Sequence, residues 1–135
     1  MKKTLATLLL STALFSGVYT KQDRIKDMQV MAEAMTTIGT GFFYNNNDIV
    51  QNGALALSDA IRRVQPPLQE LEEKDPMTRY MNNKIIFSNK IVKTIDKKAK
   101  IIIQRFATGD VQAATQAYTK IMKQCMKCHH EIRQW

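Results

Sequence analysis

The sequence predicts an all-α protein, an up-down-up-down antiparallel four-helix bundle. Four segments place apolar residues at alternating steps of three and four, which is the period of an amphipathic helix. No segment alternates apolar and polar residues as a half-buried strand does, and no internal repeat is present. Short breaks rich in asparagine, proline or glycine separate the segments, and short connections favour antiparallel neighbours.

A segment with the pattern of a secretory signal peptide precedes the predicted bundle. Two lysines are followed by an apolar run over residues 5–15 and then by small and polar residues. The run is shorter than the roughly 20 apolar residues that cross a membrane. We therefore expect cleavage after Thr20, which gives a signal peptide over residues 1–20 and one domain over residues 21–135, exported to the periplasm.

The charge of the exported domain restricts its partners. It carries 18 basic and 12 acidic residues, a net charge of +6, and the basic residues are densest between positions 90 and 100. Acidic partner proteins suit this charge, although a solvated helix face is the favoured explanation of the lysine run itself. An exported chain with no interleaved basic and aromatic residues is not expected to bind nucleic acid, and no segment after the leader is expected to insert stably in a membrane.

The first two helices are predicted on either side of an asparagine-rich break. The first covers residues 23–43, and residues 45–48 interrupt it. The second covers residues 49–64 and ends before two prolines, which remove backbone donors and restrict the preceding residue. The apolar stripes of the two helices are Ile25, Met28, Met31, Met35, Ile38 and Phe42, and then Ile49, Gly53, Leu57, Ile61 and Val64.

The third and fourth helices have clearer boundary signals. Asp75 and Pro76 are typical of an N-cap and a first helical position, so the third helix is predicted over residues 76–106. Gly109 stops it, and Asp110 caps a fourth helix over residues 111–134. The stripes are Met77, Met81, Ile85, Ser88, Ile91, Ile95, Ala99, Ile102 and Phe106, and then Val111, Ala114, Tyr118, Ile121, Cys125, Cys128 and Ile132.

The fourth stripe contains a C-x-x-C-H motif, formed by Cys125, Cys128 and His129, which is the attachment signal for a c-type haem. Each cysteine can form a thioether with one porphyrin vinyl group, and the histidine can bind the iron. Residues three and four apart share a helix face, so all three side chains can reach one flat cofactor. Half of a zinc site, a redox-active pair and a simple disulfide are the alternatives.

Helix number and motif position together resemble the class II cytochromes c, which comprise cytochrome c′ and its low-spin, Met-ligated relatives. In that family an arginine commonly follows the haem histidine by four residues, as Arg133 does here. Another arginine precedes the residue that faces the iron by four, as Arg24 precedes Met28. Ile132 departs from the pattern, because the family often has an aromatic residue there. The resemblance implies propionate contacts for Arg24 and Arg133 and one covalently attached haem c per chain.

The identity of the residue at position 28 decides the subtype that this resemblance implies. A methionine is the sixth ligand in the low-spin relatives, whereas an apolar residue leaves the iron five-coordinate in cytochrome c′. Antiparallel packing also puts the start of the first helix level with the end of the fourth, and Met35 lies about 10 Å further along. Met31, Met77 and Met81 are competitors, and core filling is the usual role of such a methionine stripe.

Several other residues are expected to surround the haem end. Met77, Tyr80, Met81, Ile85, Ile61 and Val64 are predicted to wall it. His130 is rotated about 100° from His129 and is expected at the surface.

Three functions fit these observations. A soluble electron carrier with His129 and Met28 as axial ligands is the first. A five-coordinate cytochrome c′ that binds nitric oxide or carbon monoxide is the alternative. An enzyme such as a peroxidase needs a distal acid–base group, and Asp27 is predicted to turn off the apolar stripe. We therefore expect no enzyme, and a haem-free bundle is the least specific alternative.

The sequence also allows self-association. Small residues in the second helix, Gly53, Ala54 and Ala56, suit close packing either in a homodimer or within one bundle.

Overall fold

The four helices predicted from the periodicity form in the computed structural model, which describes residues 21–64 and 76–133. They are α1 (Lys21–Phe43), α2 (Asn47–Arg63), α3 (Pro76–Ala107) and α4 (Val111–Arg133). The described residues contain no strand. Helices consecutive in the chain pack against each other, in agreement with the up-down order. The all-α four-helix prediction is confirmed, and the predicted signal peptide lies outside the described residues.

The turn between α1 and α2 is built from asparagines. Asn45 has a positive φ of 48°, a conformation that asparagine tolerates better than most residues. The side chain of Asn46 accepts a hydrogen bond from the Ile49 amide at 3.1 Å and caps α2. Because the cap is Asn46, α2 begins at Asn47, two residues before the predicted start, and Asp48 lies in its first turn.

The connection between α3 and α4 is the predicted one. Gly109 has φ 79°, and its amide and that of Asp110 donate to the carbonyls of Phe106 and Arg105. Such left-handed glycines satisfy the last carbonyls of a helix. The Asp110 carboxylate accepts from the Ala113 amide at 3.1 Å and caps α4.

The core follows the predicted stripes, with three corrections. In α3 every stripe position from Ser88 to Phe106 is buried. In α2 Val50 is buried and Ile49 only partly, because Val50 shares the inner face with Gly53, Ala54 and Leu57, whereas Ile49 lies at its edge. Val111 is 42% exposed, since it occupies the first turn of α4 beyond the packed region. Asp27, predicted to turn off the stripe, is only 6% exposed.

Helices α1 and α2 approach closely where two glycines meet the partner helix. A methyl group on Gly53 would lie 2.9 Å from the Ile38 amide nitrogen and 3.0 Å from the Ala34 carbonyl oxygen. One on Gly41 would lie 2.7 Å from the Val50 amide nitrogen. Gly53 and its neighbour Ala54 are buried within one chain, so packing inside the bundle accounts for both without a second copy.

A buried polar contact joins α2 to α3. Ser58, which is 4% exposed, donates a short hydrogen bond to the carboxylate of Asp96. The other carboxylate oxygen accepts from Lys100 at 2.6 Å. Burial by itself raises the pKa of Asp96, but the hydrogen bonds from Lys100 and Ser58 and the charges of Lys100 and Arg62 leave that pKa below its ordinary value.

None of the helices in residues 21–64 and 76–133 combines the length and apolar character that crossing a bilayer requires.

Candidate functional site

All four helices meet around one small apolar cavity near the start of α1 and the end of α4. Its volume is about 30 Å³. The helices contribute Met28 and Met31 from α1, Ile61 and Val64 from α2, Ser88, Ile91, Val92 and Ile95 from α3, and Cys125, Cys128 and His129 from α4. The whole C-x-x-C-H triad therefore faces the same space as Met28, nearly a hundred residues away in sequence.

The helical spacing of the motif explains why its three side chains share this wall. Cys125 lies on the same α4 face as the fully buried Ile121, and Cys128 and His129 follow three and four residues later. Cys125, Cys128 and His129 are partly buried, and the Nδ1 atom of His129 is buried. His130 is exposed, as its rotation on the helix predicts, so one histidine of the pair lines the cavity.

The ionisation of Cys125 reflects its apolar surroundings. Burial raises the pKa of the Cys125 thiol to about 11, and the nearby Cys128 adds to the rise. Thioredoxin-like pairs instead depend on a cysteine whose pKa is depressed. No disulfide joins the two residues. At neutral pH Cys125 is therefore a protonated thiol that faces an apolar cavity.

Metal ligation by the cysteines themselves has a separate geometric requirement. A structural zinc site needs four ligands around one point. Within the described part of the chain, no three His, Cys, Asp or Glu side chains are placed to hold an ion together. A thioether-linked haem has no such requirement, because the cysteines bond to the porphyrin and one histidine reaches the iron.

The methionines of α1 occupy different levels of the bundle. Met28 is partly buried, Met31 is 8% exposed, and both line the cavity. Met35 lies further along, where its carbonyl oxygen accepts from the Tyr118 hydroxyl at 3.3 Å, and it is not part of the lining. The structure thus separates Met35 from the site and leaves Met28 and Met31 beside it.

Next to Met28, Asp27 takes part in an ion pair that the sequence did not indicate. Its Oδ1 atom accepts a hydrogen bond from Nε of Arg63 at 2.8 Å and lies 2.8 Å from Nη2 of the same side chain. The pair links the first turns of α1 to the last turn of α2, at the end of the bundle that holds the cavity. Asp27 precedes the buried Met31 by four residues, a spacing that places both on one helix face and that could have indicated its burial.

Of the other residues predicted at the haem end, some line the cavity and others do not. Ile61 and Val64 line the cavity, whereas Arg24 is exposed on α1. Arg133 lies in the last turn of α4, and its side chain is outside the described residues. The same holds for the side chains of Met77, Tyr80, Met81 and Ile85, whose backbone forms the start of α3.

Comparison with known proteins supplies no relative. No protein-family model, curated protein or solved structure matches the chain. The interpretation of the site therefore depends on its residues and their placement.

Proposed function

We propose that this protein is a soluble, exported c-type cytochrome that carries electrons through one covalently attached haem. Cys125 and Cys128 would form the two thioether bonds, and His129 and Met28 would supply the two protein ligands of the iron. One observation carries the proposal: the three residues of the C-x-x-C-H motif and Met28 line the same apolar cavity. The motif alone indicates haem attachment, and the shared cavity supports Met28 as the sixth ligand.

The residues that line the cavity suit haem in chemical character. Aliphatic side chains from α2 and α3 face the protonated Cys125 thiol, so the site offers an apolar surface with few polar atoms. A cavity of about 30 Å³ is of the order of one water molecule. A porphyrin therefore requires neighbouring side chains at this end of the bundle to move apart.

Electron transfer is the activity that these residues support. The bound haem supplies a one-electron change at iron, and His/Met ligation favours the reduced state and raises the potential. Cys125, Cys128 and His129 on α4 and Met28 on α1 would hold the haem from two helices, which would keep the same ligands on the iron in both redox states. Asp27, the acidic neighbour of Met28, is engaged by Arg63 in the interface of α1 with α2. A structural ion pair is a poor acid–base group for a peroxidase.

Absorption spectra of the purified exported protein test the axial ligands. We expect a low-spin oxidised spectrum and no rapid binding of carbon monoxide by the reduced form. Met28→Leu removes the thioether at similar volume, so the iron should become high-spin and bind carbon monoxide. Met35→Leu is the matched control and should change neither spectrum, because Met35 does not line the cavity.

Three outcomes would redirect the proposal. High-spin spectra and rapid carbon monoxide binding in the unmodified protein would identify a five-coordinate, gas-binding cytochrome. A low-spin spectrum that persists in Met28→Leu but is lost in Met31→Leu would identify Met31 as the sixth ligand in place of Met28. A third outcome would reject the cytochrome assignment: expression in a host with the attachment machinery yields protein from which denaturation releases all haem, or which has none.

A further inference from the structure

The charges of this chain are divided unequally between its two helical hairpins. Residues 21–64, which include α1 and α2, carry five basic and five acidic side chains. Residues 76–133, which include α3 and α4, carry twelve basic and three acidic ones. The net positive charge of residues 21–64 and 76–133 is therefore carried by the second hairpin, formed by α3 and α4.

Six exposed lysines concentrate this charge on one surface. In each of the two helices three of them are spaced by three and four residues, so each set forms a stripe along one helix face. Lys127 lies with its Nζ atom 5.4 Å from the ring centroid of Phe87 on α3, which brings the flanks of the two helices together. We call this surface the lysine face; it consists of Lys90, Lys93, Lys97, Lys120, Lys123 and Lys127.

The lysine face has few acidic neighbours: Glu131 follows Lys127 by four residues, and Asp96 lies between Lys93 and Lys97 in sequence but pairs with Lys100. The ion pairs between described residues engage Arg62, Arg63, Lys100 and Arg105. In the described part of the chain no acidic residue pairs with Lys90, Lys93, Lys97, Lys120 or Lys123. Solvated helix faces usually mix both signs of charge. A surface of one sign instead attracts oppositely charged molecules from a distance.

We propose that the lysine face is the docking surface for an acidic redox protein, an inference that rests on the proposed function. The face adjoins the haem-attachment residues directly. Lys127 is part of the C-x-x-C-H motif, and its partner Phe87 precedes Ser88, which lines the cavity. A partner on this surface lies against the turn of α4 that holds both cysteines.

The chemistry of the face favours a protein over an anionic membrane. Binding to a bilayer surface uses apolar side chains beside the basic ones, and Ile86 is the exposed large apolar residue in the α3 stripe. Met122 and Met126 are also exposed, but they lie on the opposite flank of α4 from Lys120 and Lys127. Charge-dominated surfaces of this kind are typical of fast, transient protein encounters.

Charge reversal on the holoprotein tests the proposal, with poly-L-glutamate as the acidic probe. NMR shifts of the ¹⁵N-labelled protein should map binding to the outer faces of α3 and α4. Lys97→Glu and Lys123→Glu should each weaken binding about three- to tenfold at low salt. Lys26→Glu is the matched control, because Lys26 is exposed on α1 and the charge change is the same. It should change the affinity less than about twofold.

Two results would contradict the proposed docking surface. Equal loss with Lys26→Glu, or shifts spread over α1 and α2, would overturn the docking surface. Binding to phosphatidylglycerol vesicles but not to poly-L-glutamate would assign the face to a membrane. The haem spectrum separates this proposal from the proposed function. If a chain without haem still binds poly-L-glutamate through the lysine face, the face remains a docking surface for an acidic partner, and its redox role is rejected.

Discussion

Asp27 carries a buried charge that an ion pair with Arg63 stabilises. Both contacts from Arg63 reach the same oxygen at 2.8 Å, while the Arg63 side chain remains 51% exposed. An ion pair with one hydrated end loses less solvation than a fully buried pair. The pair therefore fixes the start of α1 against the end of α2 and holds the helix turn that carries Met28.

Asp27→Ala should lower the free energy of unfolding by about 1–3 kcal/mol, because it removes charge-assisted hydrogen bonds in a buried place. Denaturant unfolding of the holoprotein measures the change. Asp59→Ala is the control, since Asp59 pairs with Arg62 on the surface and should cost less than about 1 kcal/mol. If both variants lose the same free energy of unfolding, the buried Asp27 ion pair stabilises the protein no more than the exposed Asp59 pair does.

Cys125 illustrates a different effect of burial at the residue scale. The apolar surroundings that raise its pKa to about 11 also keep it from being a reactive thiolate at neutral pH. The same surroundings suit one edge of a porphyrin. Its neutral state distinguishes this C-x-x-C pair from the exchange-active kind.

At the scale of elements, the contact between α1 and α2 depends on glycine. Backbone atoms of Ala34 and Ile38 occupy the space where a side chain at position 53 would begin. Gly39 of α1 is different, because a methyl group there would lie 3.5 Å from the Tyr118 hydroxyl oxygen, an ordinary contact. Two helical glycines thus have opposite sensitivities to the same substitution.

Gly53→Ala should destabilise the protein by about 1–2 kcal/mol, because the helices must separate and the overpacking cost exceeds the gain in helix propensity. Gly39→Ala should be neutral or stabilising by up to about 1 kcal/mol. Thermal unfolding followed by circular dichroism compares them. A stabilising Gly53→Ala would mean that the two backbones are further apart than described.

For the whole molecule, the interface of α2 with α3 joins the two hairpins. Ser58 and Asp96 form its buried polar contact, and the pKa of Asp96 lies below its ordinary value. A depressed pKa means that the folded state favours the carboxylate. This contribution to stability is complete above the ordinary pKa of 3.8 and is lost as the pH falls through the lower, folded value.

Asp96→Asn should therefore lower the free energy of unfolding by about 1–2 kcal/mol at pH 7. The difference from the unmodified protein should shrink as the pH falls below 3.8. Urea unfolding at pH 7, 5 and 3 measures it, and Asp59→Asn is the control at an exposed carboxylate. If this difference in the free energy of unfolding is the same at all three pH values, ionisation of Asp96 does not contribute to the pH dependence of stability.

Packing differs between the two ends of the bundle. Away from the cavity, Phe42 contacts both Phe106 and Tyr118, with ring centroids 5.3 Å and 5.7 Å apart, and Ile38, Ile102 and Ala114 are fully buried. The cavity and the partly buried cysteines lie at the opposite end. Under the proposed function, side chains at the cavity end would move apart around haem, while the tightly packed end would keep the four helices together.

The sequence by itself determined the four helices and indicated which residues form the candidate site. Helix period, the Asp110 cap and Gly109 are local signals, so the extents of α3 and α4 could be predicted to within a residue. The C-x-x-C-H spacing likewise indicated that Cys125, Cys128 and His129 share one face of α4, and all three line the cavity. These properties depend on neighbours within one or two helical turns, which a sequence displays directly.

Only the tertiary structure decided what lies opposite that face. Met28 and Met31 reach the cavity while Met35 does not, a result of how far α1 extends beside α4. The burial of Asp27 depends on Arg63, which is 36 residues away, and the lysine face depends on the contact of α3 with α4. Helical periodicity assigns residues to faces, but the packing of helices decides which faces meet.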